Sequence, residues 1–144
     1  MRTYTPKLVQ EPTPEGGERL QWTSFMAEQI HEGISFVLAD ILRKTVHISK
    51  KEYAAYLGVD PRTLRRFEVK NRLNPAASDR AYRLARLLEA ATELHDGDTV
   101  RAVRWLKTPN RALGDQRPID MVATQPDYDR VMNLIGALQE GVFV

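Results

Sequence analysis

Residues 48–71 carry a punctuation that leaves little freedom in how the chain folds there. Ser49 followed three residues later by Glu52 is the reciprocal capping box of a helix start, and Tyr53, Ala54 and Leu57 give that helix a buried side. Gly58 ends it, because glycine tolerates the positive φ at which a chain reverses. Val59 then fills the space between elements, Asp60 caps a second helix, and Pro61 takes its first position. The spacing predicts two short helices joined by a tight turn.

The second helix has two unlike faces. Leu64 and Phe67 lie three apart and share one side, which turns Arg62, Arg65, Arg66, Val69 and Lys70 largely outward. A helix seated by its apolar side, with guanidinium groups at its exposed N-terminal end, is built to enter a DNA major groove. Arginine there pairs with phosphate or grips guanine on O6 and N7, a contact worth about 1–3 kcal/mol of base discrimination. Spacing does not choose between these roles for Arg62, Arg65 and Arg66. Lys70 and Arg72 suit the phosphate backbone. Thr63 is placed either to donate to a phosphate or to stand as an ordinary surface threonine.

Charge along the chain agrees. The net formal charge is only +2, yet residues 43–86 hold 12 Lys and Arg against 4 Asp and Glu, while the rest hold 9 against 15. A segment this basic gains by displacing counterions from phosphates. The absence of cysteine removes disulfides, thiolate nucleophiles and thiolate metal sites. His31, His47 and His95 sit on separate elements, which argues against a metal site. No apolar run suits a signal peptide or a membrane helix, so a soluble cytoplasmic protein with no membrane association is expected. Asp115, Asp120, Asp127 and Asp129 cluster in sequence without a partnered histidine or a phosphate-binding loop, so surface charge explains them and no catalysis or cofactor is expected.

Elsewhere the pattern is helical. Residues 1–20, with Pro6, Pro12, Pro14 and the Gly16-Gly17 pair, read as a flexible arm. Thr23 or Ser24 can cap a helix running to about Lys44, in which Met26, Ile30, Ile34, Val37, Leu38 and Ile41 form one apolar stripe. That helix offers either a dimer interface or internal core. Asn74 or Ser78 starts another through Leu84, Leu87, Leu88 and Ala91, and Asp98 begins one ending at Leu106. Trp105 reads as a core anchor, and Trp22 as either core or an arm contact. Pro109, Gly114 and Pro118 punctuate a loop, followed by a short helix at residues 119–122 and a final one at residues 126–140. The apolar ending Val142-Phe143-Val144 either plugs a partner or folds back on its own domain. The fold class expected is all-α.

Several short motifs in order resemble a known family. They are Leu57-Gly58-Val59, Arg62-Thr63-Leu64-Arg65-Arg66, Asn71-Arg72-Leu73, Ser78-Asp79-Arg80 and Arg83-Leu84-Ala85-Arg86, then Trp105-Leu106, Pro109-Asn110 and Ala112-Leu113-Gly114, and finally Pro118, Thr124, Val131 and Glu140-Gly141-Val142-Phe143. Together they resemble the Xre-like antitoxins, the group that includes ParS and MbcA. Two positions depart from that pattern: Asp115 stands where a second glycine is frequent, and Asp127 where a glycine usually follows the threonine.

The resemblance implies an Xre-like helix-turn-helix domain over residues 21–90 and a small helical toxin-binding domain over residues 91–144. It implies a type II antitoxin that silences a RES-domain, NAD-depleting toxin encoded by the adjacent gene and represses their shared operator; a homodimer is expected because helix-turn-helix proteins commonly pair to read two half-sites. The expected DNA contacts are Arg62, Thr63, Arg65, Arg66, Lys70 and Arg72. The expected toxin contacts are Asn110, Arg111, Leu113 and Gly114 in the loop, with Gln139, Glu140, Val142, Phe143 and Val144 at the end. The rival expectation is a stand-alone transcriptional regulator whose C-terminal domain dimerises or binds a small ligand.

Overall fold

A computed structural model describes residues 21–141; the proposed N-terminal arm and Val142-Phe143-Val144 lie outside the described residues. Among those residues the chain is all-α. The helices are α1 (Gln21–Gln29), α2 (Phe36–Thr45), α3 (Lys50–Leu57), α4 (Pro61–Lys70), α5 (Pro75–Leu94), α6 (Thr99–Leu106) and α7 (Gln125–Gln139). Two 3-10 turns, Arg111–Leu113 and Pro118–Val122, connect α6 to α7.

The long helix α5 is the axis of the molecule. It packs against α1, α3, α6, α7 and the second 3-10 turn. Ala77, Ala81, Ala85 and Ala91 are buried along it, and side chains this small let neighbouring helices approach closely. One core joins Leu42, Tyr53, Leu57 and Leu64 on the helix-turn-helix side to Leu106, Ile119, Met121 and Ile135 on the other, through Leu84, Leu87 and Leu88. Burying each such side chain contributes about 1.5–3 kcal/mol. The boundary expected at residue 90 therefore falls inside α5, where the core is continuous.

Caps start most of these helices as the sequence predicts. The Asn74 side chain accepts from the Ala77 amide, and Asp98 from Arg101, so Asn74 rather than Ser78 begins α5. Ser78 is instead wholly buried, and its Oγ accepts from the Ile34 amide at 2.8 Å.

The single helix expected from residue 24 to 44 is the main correction. It is two helices, broken at Gly33, whose φ is +99°. A Cβ there would lie 2.1 Å from the Leu73 carbonyl oxygen, so no residue with a side chain fits. Ser35 caps α2 by accepting from Leu38, and Leu73 donates its amide to the Ile34 carbonyl at 2.9 Å. Thr23 is not a cap: it lies within α1, buried, with its hydroxyl donating to Glu89 Oε2 at 3.2 Å. The apolar stripe is broken with the helix. Met26, Ile34, Leu38 and Leu42 enter the core, whereas Val37 is 58% exposed.

Candidate nucleic-acid interface and partner loop

The reciprocal capping box predicted for α3 is present. Ser49 Oγ accepts from the Glu52 amide at 3.1 Å, and Glu52 Oε1 accepts from the Ser49 amide at 3.0 Å. That amide, more than any other contact, holds the Glu52 carboxyl below the usual carboxylate range. Gly58 is left-handed at φ 77°, and Asp60 caps α4 by accepting from the Thr63 amide at 2.7 Å. The Thr63 contacts hold the Asp60 carboxyl low, helped by Arg62 and Arg66 nearby. Tyr53 anchors the pair from beneath: it is wholly buried, and its hydroxyl donates to the Ala39 carbonyl at 2.7 Å. Burial pushes its phenol far above its ordinary range.

Leu64 and Phe67 are the buried residues of α4, so its opposite face is free. Arg62, Arg65, Arg66 and Lys70 are exposed, and none forms an ion pair among the described residues. Arg66 Nη2 donates to Thr63 Oγ1 at 3.3 Å, which lines up two of the expected contact residues. Val69, on the same helix, is 81% exposed. Lys50 at the start of α3 pairs with Glu68 of α4 at 3.3 Å, tying the two helices across their turn. A surface of free guanidinium groups beside two helix N-termini attracts phosphate and places hydrogen-bond donors for base edges.

Arg72 is differently employed from what its position in the basic run suggests. Its Nη1 donates to the Glu32 carbonyl at 2.6 Å and to the Gly33 carbonyl at 3.4 Å. Asn71, left-handed at φ 54°, accepts the Val37 amide on its Oδ1 at 3.2 Å. Both residues fasten the end of α4 to the break between α1 and α2. The sequence carries no signal for this, since the partners are backbone atoms 34 to 40 residues away.

The loop after α6 is compact. Asn110 donates its amide to the Gln116 carbonyl at 3.0 Å and accepts the Asp115 amide at 2.9 Å, while its side chain accepts from Ala112 at 2.9 Å. Gly114 and Asp115 are both left-handed, at φ 67° and 66°. Arg111, Ala112, Gly114, Asp115 and Gln116 face outward. Leu113, expected as a direct contact, is 2% exposed and belongs to the core. Its side chain seats the loop. α7 packs against the 3-10 turn of this loop, and Gln139 and Glu140 are exposed at its far end.

A polar cluster missed by sequence reasoning ties this loop to the helix-turn-helix. Tyr56 of α3 donates its hydroxyl to Asp120 Oδ1 at 2.8 Å and accepts from Arg117 Nη2 at 3.0 Å. Arg117 Nε also pairs with Asp120 Oδ2 at 3.0 Å. Burial, reinforced by the Asp120 carboxylate, pushes the Tyr56 phenol well above its ordinary range, and that carboxylate raises the Arg117 guanidinium. Asp120 is thus a structural partner of Tyr56 and Arg117. No group of three or more His, Asp or Glu able to hold a metal occurs among the described residues. No helix among them is long and apolar enough to cross a membrane.

Comparison with known proteins matches two family models in succession. Residues 25–86 match the antitoxin Xre-like helix-turn-helix domain, and residues 90–141 the antitoxin Xre/MbcA/ParS C-terminal toxin-binding domain. The antitoxin Xre of Yersinia enterocolitica is 31% identical over 99% of this chain and 99% of its own length. The mycobacterial cidal antitoxin MbcA of Mycobacterium tuberculosis is 33% identical over 67% of this chain and 84% of its own. A chain in the crystal structure of the M. tuberculosis MbcT–MbcA toxin–antitoxin complex superposes with a TM-score of 0.56 at 28% identity, covering 74% of this chain and 94% of that one.

Proposed function

Because this chain belongs to the Xre-like antitoxin family, we propose that it joins toxin neutralisation to repression of its own operon within one helical body. It is the antitoxin of a toxin–antitoxin system. The partner is a RES-domain toxin that depletes NAD, encoded by the adjacent gene. Asn110, Arg111 and Gly114 meet that toxin together with Gln139, Glu140, Val142, Phe143 and Val144, and the loop and tail obstruct its active-site entrance. The match of residues 90–141 to a toxin-binding domain supports this reading, as does the exposure of the loop and of the end of α7. The antitoxin binds no cofactor and performs no catalysis of its own.

The free cationic face of α4 carries the DNA half of the proposal. Arg62 and Arg65 lead the contact to operator DNA, with Arg66 and Thr63 beside them and Lys70 on the phosphate backbone. A homodimer presents two such faces to two half-sites one helical turn apart. Arg72 holds the Glu32 and Gly33 carbonyls through Nη1 and, being exposed, keeps its other N–H groups for the phosphate backbone.

The test is co-expression with the product of the neighbouring gene, reading growth and cellular NAD, alongside promoter retention by the purified protein. Replacing Arg62, Arg65 and Arg66 by alanine abolishes promoter retention and spares neutralisation. Deleting residues 139–144 does the reverse, provided the truncated chain melts as the full one does. Equal loss of both activities in the arginine variant, or a neighbouring gene whose product this chain neither binds nor silences, refutes the proposal.

A further inference from the structure

Outside the helix-turn-helix the chain is acidic on average, yet residues 99–111 hold four cationic residues and no acidic one. α6 sorts them onto its outer side. Ala102, Val103 and Leu106 are its buried residues, while Arg101 and Arg104 are exposed, followed by Lys107 at the C-cap and Arg111 in the loop. At 100° per residue, positions 101, 104 and 107 fall on the arc opposite 102 and 106. Arg101, Arg104 and Arg111 make no ion pair among the described residues. A carboxylate does lie at one end, where Asp98 caps the helix by accepting the Arg101 amide at 3.1 Å.

This stripe runs up to the helix-turn-helix. Lys107 Nζ donates to the His47 carbonyl at 2.7 Å, two residues before the α3 cap, and its charge reaches Glu52 in the first turn of α3. The same first turn carries Lys50, which pairs with Glu68 of α4. The N-terminal end of α3 is therefore in contact with both cationic helices. When a helix-turn-helix docks, its first helix crosses the phosphate backbone while its second enters the groove. A cationic stripe starting beside that first helix is complementary in charge to the backbone that continues past the groove.

We propose that Arg101 and Arg104 form a second phosphate-contacting surface, so that the C-terminal region enlarges the operator footprint beyond the helix-turn-helix. This inference rests on the DNA-binding reading of α4. Phosphate fits the stripe better than base edges do, because the arginines are spread along a helix side rather than gathered at a helix N-terminus.

The experiment measures the affinity of the full chain for its own promoter fragment between 50 and 200 mM salt. Each lost phosphate contact lowers the slope of log affinity against log salt by about 0.9. In the proposed homodimer the double variant R101Q/R104Q loses about four contacts, so the expected slope is lower by about 3.6 and its deficit against the parent protein shrinks about 150-fold across that range. R101K/R104K restores the slope, since lysine supplies the same charge to a phosphate. Thermal melts check that both variants fold, as exposed side chains should allow.

An unchanged slope in R101Q/R104Q beside a collapsed one in R62A/R65A/R66A overturns this inference and leaves the α4 reading standing. Weaker binding of the purified toxin by R101Q/R104Q with the DNA slope unchanged overturns it too, and assigns the stripe to an acidic surface of the toxin. An unchanged slope in R62A/R65A/R66A removes the α4 reading, and a fall in R101Q/R104Q then leaves α6 as a phosphate surface in its own right.

Discussion

Replacing Ser78 by alanine removes one oxygen atom and should cost more than a typical surface substitution. Ser78 and Ile34 are both 0% exposed, and the serine Oγ is the acceptor of the Ile34 amide at 2.8 Å. In the variant that amide has no partner and no route to water, and a buried unsatisfied donor costs about 1–3 kcal/mol. Taking the middle of that range, and about 3–4 °C per kcal/mol for a chain of this size, the melting temperature falls by about 6–8 °C. The site multiplies the effect. Ile34 follows the Gly33 break, and its carbonyl also receives the Leu73 amide, so the serine helps fix where α4 ends relative to α1 and α2. The control is Thr92→Val: Thr92 is also buried, but its hydroxyl donates to the Leu88 carbonyl at 2.7 Å, an oxygen already served within the helix. That change should cost under about 1 kcal/mol. Urea titration followed by circular dichroism, with the m-value unchanged, reads both. If Ser78→Ala lies within about 0.5 kcal/mol of the parent, or no lower than Thr92→Val, the amide of Ile34 is not orphaned and the argument fails.

Three other outcomes follow from the same contacts. The folded state holds Glu52 below its ordinary value of 4.5 and Asp60 below 3.8, so both stabilise the fold above those values and lose that contribution as pH falls through the lowered ones. The double variant E52Q/D60N keeps cap acceptors without titrating; its urea midpoint should lie below the parent's at pH 7 and drop less on acidification to about pH 3, so that the two converge, and an equal drop would tell against the assignment. Tyr56→Phe removes a hydroxyl that joins Asp120 and Arg117 while leaving those two paired, and should lower stability by about 1 kcal/mol in the same titration; no shift would mean that the cluster does not clamp the loop to α3. A chain ending at residue 90 should give no cooperative melt, because Leu84, Leu87 and Leu88 would lose the partners that α6, α7 and the second 3-10 turn supply; a sharp melt would show the helix-turn-helix to be self-sufficient.

What the sequence made legible was local. Ser49, Glu52, Gly58, Asp60 and Asn74 act within one turn of themselves, and each is found at the helix end its chemistry predicts. The outward arginines of α4 follow equally from the spacing of Leu64 and Phe67. Illegible were the places where a distant backbone decides. The apolar spacing of Ile30, Ile34 and Leu38 runs unbroken across Gly33, and the close approach of the Leu73 carbonyl and the Arg72 side chain, which leaves room there for glycine alone, is not visible in it. Arg72 looks like its basic neighbours, yet its Nη1 is bonded to two carbonyls before the start of α2. Leu113 sits in a motif that reads as a contact loop, yet faces the core, because a loop pinched between Asn110 and Gln116 needs an anchor.

The position of α5 bears on how the two proposed activities meet. The two matched family models part between residues 86 and 90, within a helix that runs from Pro75 to Leu94 and whose ends serve different tasks. Its first turn holds Ser78 under the α1–α2 break and so positions α4; farther along, Arg83 Nη1 donates to the Val122 carbonyl at 2.7 Å, beside the start of α7. Two further braces, Lys107 on His47 and the Tyr56–Arg117–Asp120 cluster, cross between the same regions. A change of shape at the partner loop has no soft linker in which to dissipate, since close-packed elements shift together or not at all. In the proposed function, toxin on the loop and DNA on α4 would therefore act on one body, and any energetic coupling between them would run in both directions with equal magnitude.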